Sequence, residues 1–142
     1  MTTLAREAVA VLATADPAAK ARRAREMAAA WRGGAIAEVG SAATPDRPAR
    51  PARPELKRAT EVPKRKINRG TAGRIALLHA LAHIELNAVD LAVDILARFT
   101  GENLPRGFYD DWLTVADEEG KHYLLLADRL AALGFSYGDL PA

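Results

Sequence analysis

Two long apolar seams, each interrupted near its middle by ionisable residues, constrain the fold of this chain more than any other feature. In the first, Ile75, Leu78, Ala82, Glu85, Val89, Ala92, Leu96 and Phe99 are spaced alternately by three and four. That spacing predicts one continuous stripe along a helix. Thr71 is its expected N-cap and Gly101 its terminator; at 1.5 Å per residue such a helix is roughly 40 Å long. In the second, Phe108, Trp112, Val115, Glu119, His122, Leu126, Leu130 and Leu133 repeat the spacing, with Asp110 and Asp111 expected in the first turn and Gly134 at the end. The connection through Asn103-Leu104-Pro105 is short, which makes the two helices antiparallel neighbours.

An ionised carboxylate within a helix core is costly unless it is paired or coordinates a metal. Glu85, Glu119 and His122 meeting between two seams would repel and desolvate one another without a cation. Residues three apart share a helix face, so Glu119 and His122 can reach one ion. Ferritin-type bundles use this arrangement twice, with one Glu from each of two helices and Glu-x-x-His from each of the other two. The competing reading is a buried ion pair with a nearby Arg or Lys. Glu-x-x-His alone is a weak motif; its placement opposite an isolated Glu carries the argument. The chain has no cysteine, which excludes disulfides and thiolate ligands. Imidazole and carboxylate suit iron, manganese or zinc, and two ions are expected here, iron first and manganese as the alternative. His79 and His83 have a zinc-capable spacing but lie off the Glu85 seam. His83, close to Glu85, and Tyr123, beside His122, are candidates for supporting the ligands from behind, with plain packing as the alternative. Asp90 and Asp94 read as a solvated face.

Upstream, Leu4, Ala8, Val11 and Leu12 predict a short helix, and Asp16-Pro17 caps a second that Gly33-Gly34 ends. From Thr44 the character changes. Pro45, Pro48, Pro51 and Pro54 recur every third residue among arginines, the period of polyproline II. Three segments follow: short helices over 1–43, an extended basic arm over 44–70, and the long-helix pair over 71–142. Arg47, Arg50, Arg53, Lys64, Arg65 and Lys66 make the arm a candidate polyanion site, although it lacks the interleaved aromatics that stack on bases. A solvated linker is the alternative. The net charge is only +2, so the basic character is local. No segment is long and apolar enough to span a membrane. The N-terminal residues do not read as a signal peptide, and a cytoplasmic location is expected.

The stretch RIALLHALAHIELNAVDLAVDILARF, then FYDDWLTVADEEGKHYLLLADRLAALGFSYGDLPA, strongly resembles the bacterial ferritin-like family catalogued as domain of unknown function 455. The arm RPARPARPEL and the helix DPAAKARRAREMAAAW match that family's N-terminal region. The resemblance implies an all-α, ferritin-like fold with metal ligands at Glu85, Glu119 and His122. The family's wider relatives include di-iron oxygenases, among them tRNA-modifying hydroxylases. Family members continue for about as long again, with a second helix pair carrying its own Glu and Glu-x-x-His.

Two long helices cannot bury both seams and also shield a site; a bundle needs four. The chain therefore reads as a half-bundle completed by a second copy of itself or by a missing C-terminal half. Two functions are expected to compete: oxidation chemistry at a di-metal site of unknown substrate, or a non-catalytic helical module that binds RNA or protein through Pro45–Arg69.

Overall fold

The computed structural model describes residues 2–62 and 70–142. Among them there are four α-helices and no strand: α1 (Leu4–Leu12), α2 (Pro17–Arg32), α3 (Thr71–Arg98) and α4 (Arg106–Ala132). A single 3-10 turn, Ala59–Glu61, interrupts the extended arm. Helices α3 and α4 form the antiparallel long pair that the seams predict, and α1 and α2 pack across it.

Local chemistry explains the helix ends. The Asp16 carboxylate accepts the Ala19 amide at 2.9 Å, with Pro17 following where no amide is needed. The α4 terminus closes on Gly134, at φ +84, a left-handed conformation that glycine adopts without steric cost. Two expected boundaries differ. The N-cap of α3 is Gly70, with Thr71 already helical, and α4 begins at Arg106, so Asp110 and Asp111 lie beyond its first turn.

One core draws on all four helices. Leu4, Ala8, Val11 and Leu12 from α1 meet Met27 and Trp31 from α2, Val89, Val93 and Leu96 from α3, and Leu113 from α4. A second cluster joins Ala21, Ile75, Ala82, Leu86, Tyr123 and Leu130. The buried stripe of α4 is not the expected seam. It runs Tyr109, Leu113, Ala116, Gly120, Tyr123 and Leu130, whereas Phe108, Trp112, Val115 and Leu126 are half-buried. The cause is α2, which approaches α4 so closely that a Cβ at Gly120 would stand 2.9 Å from the Ala21 carbonyl oxygen. Small residues, not large ones, mark that contact. Phe99, expected on the α3 seam, is 43 % exposed.

Asp90 also departs from expectation. It is buried, not solvated, and pairs with Lys20 of α2 at 2.8 Å. Burial pushes its carboxyl above the usual range, and the Lys20 contact offsets part of that. The Lys20 ammonium also donates to the Ala49 carbonyl at 2.7 Å, and the Ala49 amide donates to Leu12 O at 2.8 Å. Arg98, held by Asp94, donates to Thr44 Oγ1 and the Pro45 carbonyl. Over residues 44–58 the arm is free of helix, in keeping with its prolines, and these contacts fasten it to the bundle.

Removing one partner of a buried pair leaves an uncompensated charge. Lys20→Ala is expected to cost about 3–5 kcal/mol in chemical denaturation, whereas Lys20→Met combined with Asp90→Leu should be close to neutral.

Candidate metal centre

Glu85 projects from α3 towards Glu119 and His122, which lie one turn apart on α4. One ligand-capable atom from each of the three lies within 4.8 Å of the others. His122 Nδ1 stands 3.6 Å from Glu119 Oε2 and 3.8 Å from Glu85 Oε2, beyond ordinary hydrogen-bond length. Both glutamate side chains are about three-quarters buried, at 23 % and 24 % exposure, and His122 is half-exposed at 48 %. Glu119 Oε2 is itself buried and has no hydrogen-bond partner. A buried carboxylate oxygen normally accepts two or more bonds, and leaving one unmet is unfavourable. No Arg or Lys is ion-paired with either glutamate among the described residues. The donor set fits a hard or borderline divalent cation, with two oxygens and one imidazole nitrogen converging from two helices.

His83 and Tyr123 do not support these ligands. Side chains one and two positions apart on a helix diverge by roughly 100° and 200°. Tyr123 points into the core and meets the Tyr137 ring edge-on at 5.5 Å. Its hydroxyl is pushed well above the usual phenol range by burial. His83 Nδ1 lies 2.7 Å from the Tyr137 hydroxyl, and its Nε2 lies 3.2 Å from Asn87 Nδ2. Arg50 donates to Asn87 Oδ1 at 3.0 Å, so the amide nitrogen is left to donate to His83 Nε2, and Nδ1–H faces Tyr137. Burial lowers the His83 pKa, with Arg50 and His79 adding to the effect. These residues tie arm, α3 and C-terminal tail together. Of the basic candidates, Arg47 and Arg53 are exposed, Arg50 is engaged with Asn87, and Lys64, Arg65 and Lys66 lie outside the described residues.

The sequence reading missed a second apolar stripe beside the site. Leu77, Leu81, Ile84 and Leu91 on α3 are 37–61 % exposed, and Leu125 of α4 is also exposed. They repeat at three and four, the same spacing as the seam, but on the face that α1, α2 and α4 leave uncovered.

A half-bundle with a carboxylate–histidine cluster at its open face is thus the class of structure this chain forms. The chain belongs to the family described as Protein of unknown function (DUF455), whose sequence profile matches residues 13–142. It is 42 % identical over 106 residues to an uncharacterized protein of Haemophilus influenzae (strain ATCC 51907 / DSM 11121 / KW20 / Rd). The match covers 71 % of this chain and 34 % of that protein, so the chain spans about a third of the relative's length. No solved structure matches.

The unmet Glu119 oxygen has a direct consequence for stability. With a chelator present, Glu119→Leu should raise the unfolding free energy by about 1–3 kcal/mol, because the substitution removes a buried acceptor that nothing satisfies. Urea denaturation of both proteins under the same conditions checks it.

Proposed function

We propose that this chain is one half of a ferritin-like di-metal carboxylate protein whose chemistry is oxidation at a di-iron or di-manganese centre. The observation that supports the reading most is the buried, unpartnered Glu119 Oε2 facing Glu85 and His122. A carboxylate in that state is suited to a cation. In this reading Glu85, Glu119 and His122 would hold the metal through two carboxylates and one imidazole. The bound metals would supply redox chemistry that no side chain of this composition can perform. The protein's own part is to orient the ligands on two rigid helices and to keep water from the Glu119 side.

Completion of the site rests on the open face. One Glu and one Glu-x-x-His are half of the ferritin-type ligand set. The exposed Leu77, Leu81, Ile84 and Leu91 stripe supports a second helix pair as its cover, since soluble proteins rarely leave such a patch bare. A second copy of this chain, packed across a two-fold axis, supplies the same seam again.

A second reading has its own support. The arm is fastened to the bundle and tail at Pro45, Ala49, Glu55 and Lys57, and the exposed Arg47, Arg53, Lys57 and Arg58 on or beside those points read as a basic ridge. Such a ridge suits a polyanion, RNA among the candidates, and is compatible with a redox centre elsewhere.

Purified protein should take up iron or manganese in the dimer, and Glu119→Ala with His122→Ala should abolish uptake by elemental analysis. A monomer in sedimentation that still holds two ions would contradict the half-site assignment. If the ridge binds RNA, affinity should fall steeply with added salt, because phosphate contacts release counterions. An affinity that is flat with salt removes that second reading.

A further inference from the structure

On the side of α3 away from the metal centre, His79 is 3 % exposed and its Nε2 accepts two backbone amides of the C-terminal tail. Gly138 N donates at 3.0 Å and Leu140 N at 3.4 Å. A histidine nitrogen that accepts two N–H groups carries no proton, so this contact exists only with the neutral ring, protonated at Nδ1. The Tyr137 ring stacks on His79 at 5.2 Å. Beyond it, the tail grips the arm. Ala142 N donates to Glu55 O, Lys57 N donates to Ala142 O, and Gly138 lies so close to Arg53 that an added Cβ would stand 3.1 Å from the Arg53 Cβ. The order of contacts is α3, His79, tail, arm.

We propose that His79 is an acid-sensitive latch: its neutral Nε2 holds residues 138–140 against α3, and protonation releases the tail and with it the 53–57 stretch of the arm. A proton on Nε2 places a donor against two donors and removes both bonds at once. The Asp139 carboxylate, from the tail, favours the protonated ring. His83, one turn along α3, is coupled to His79 as a like charge when both rings are protonated; Arg50 of the arm bonds Asn87, and Arg53 lies against Gly138. Tyr123 of α4 and the Lys20–Asp90 pair between α2 and α3 lie behind Tyr137 and are not bonded to the ring. Burial dominates and holds the latched ring below the ordinary value of 6.5, with Asp139 opposing it. With the tail released, the ring on α3 regains a higher proton affinity. The latch is therefore complete above the ordinary histidine range and weakens as pH falls through it. With one proton involved, opening increases at most ~tenfold per pH unit.

Amide exchange measured by NMR on the full chain between about pH 5 and pH 8, corrected for intrinsic exchange, reads the latch at Gly138 and Leu140. Their protection should fall several-fold towards the acid end while Val93 in the core keeps its own. His79→Gln supplies an uncharged acceptor and should make protection at Gly138 and Leu140 independent of pH. Flat protection in the unsubstituted protein, or an unchanged acid loss in His79→Gln, overturns the proposal. Should His79→Gln fail to hold the tail at any pH, Asp139→Asn decides. Its amide oxygen can still accept the Ser136 amide, and loss of a charge that favours the protonated ring only while the tail is latched should deepen the acid loss of protection at Gly138 and Leu140; an acid loss no larger than in the unsubstituted protein overturns the latch.

Discussion

Helix α3 is apolar around most of its circumference, and the rest of the molecule is arranged by that fact. One broad side, from Ile75 and Ala82 to Val89, Val93 and Ala97, is buried against α1, α2 and α4. A second, Leu77 to Leu91, is apolar and exposed. Only a narrow band carrying His83, Asn87, Asp94 and Arg98 is polar, and the arm lies along it through Arg50 and Arg98. Burying one Leu, Ile or Val side chain stabilises by about 1.5–3 kcal/mol, so a helix of this kind cannot be satisfied from one side. Glu85 sits at the edge between the covered and uncovered apolar regions. That position leaves its side chain about a quarter exposed, at 24 %.

The two ionic features of the core illustrate opposite outcomes of the same physics. Lys20 and Asp90 are both buried, and they are stable there because each finds the other at 2.8 Å and Lys20 also finds the Ala49 carbonyl. Glu119 is less covered as a side chain, but its Oε2 is buried and finds no hydrogen-bond donor. Desolvation of charge is the common cost. The first site offsets it within the chain and turns it into an anchor for the arm. The second leaves it unmet within the described residues.

The polar contacts of the arm and tail form a continuous set with these. Arg50 orients Asn87, Asn87 orients His83, and His83 meets Tyr137, whose hydroxyl pKa is pushed up to about 12 by burial. His79 completes the attachment of the tail. None of these residues reaches the Glu85 cluster, although His83 is only two positions from Glu85 in sequence. On a helix, two positions are nearly opposite sides.

Local pattern alone determined the long antiparallel pair, the Asp16-Pro17 start of α2, the extended proline arm and the convergence of Glu85 with Glu119 and His122. Each depends on spacing along one element or on a connection too short to permit another arrangement. Which faces are buried was decided only by the tertiary structure. The α4 core stripe runs through Ala116 and Gly120 because α2 must approach closely there, and a small residue signals nothing until its neighbour is known. Asp90 looked solvated because its partner, Lys20, is distant in sequence. The open Leu77–Leu91 stripe could not be told from a buried one for a related reason: burial is a property of what packs against a residue, and spacing records only which residues share a face.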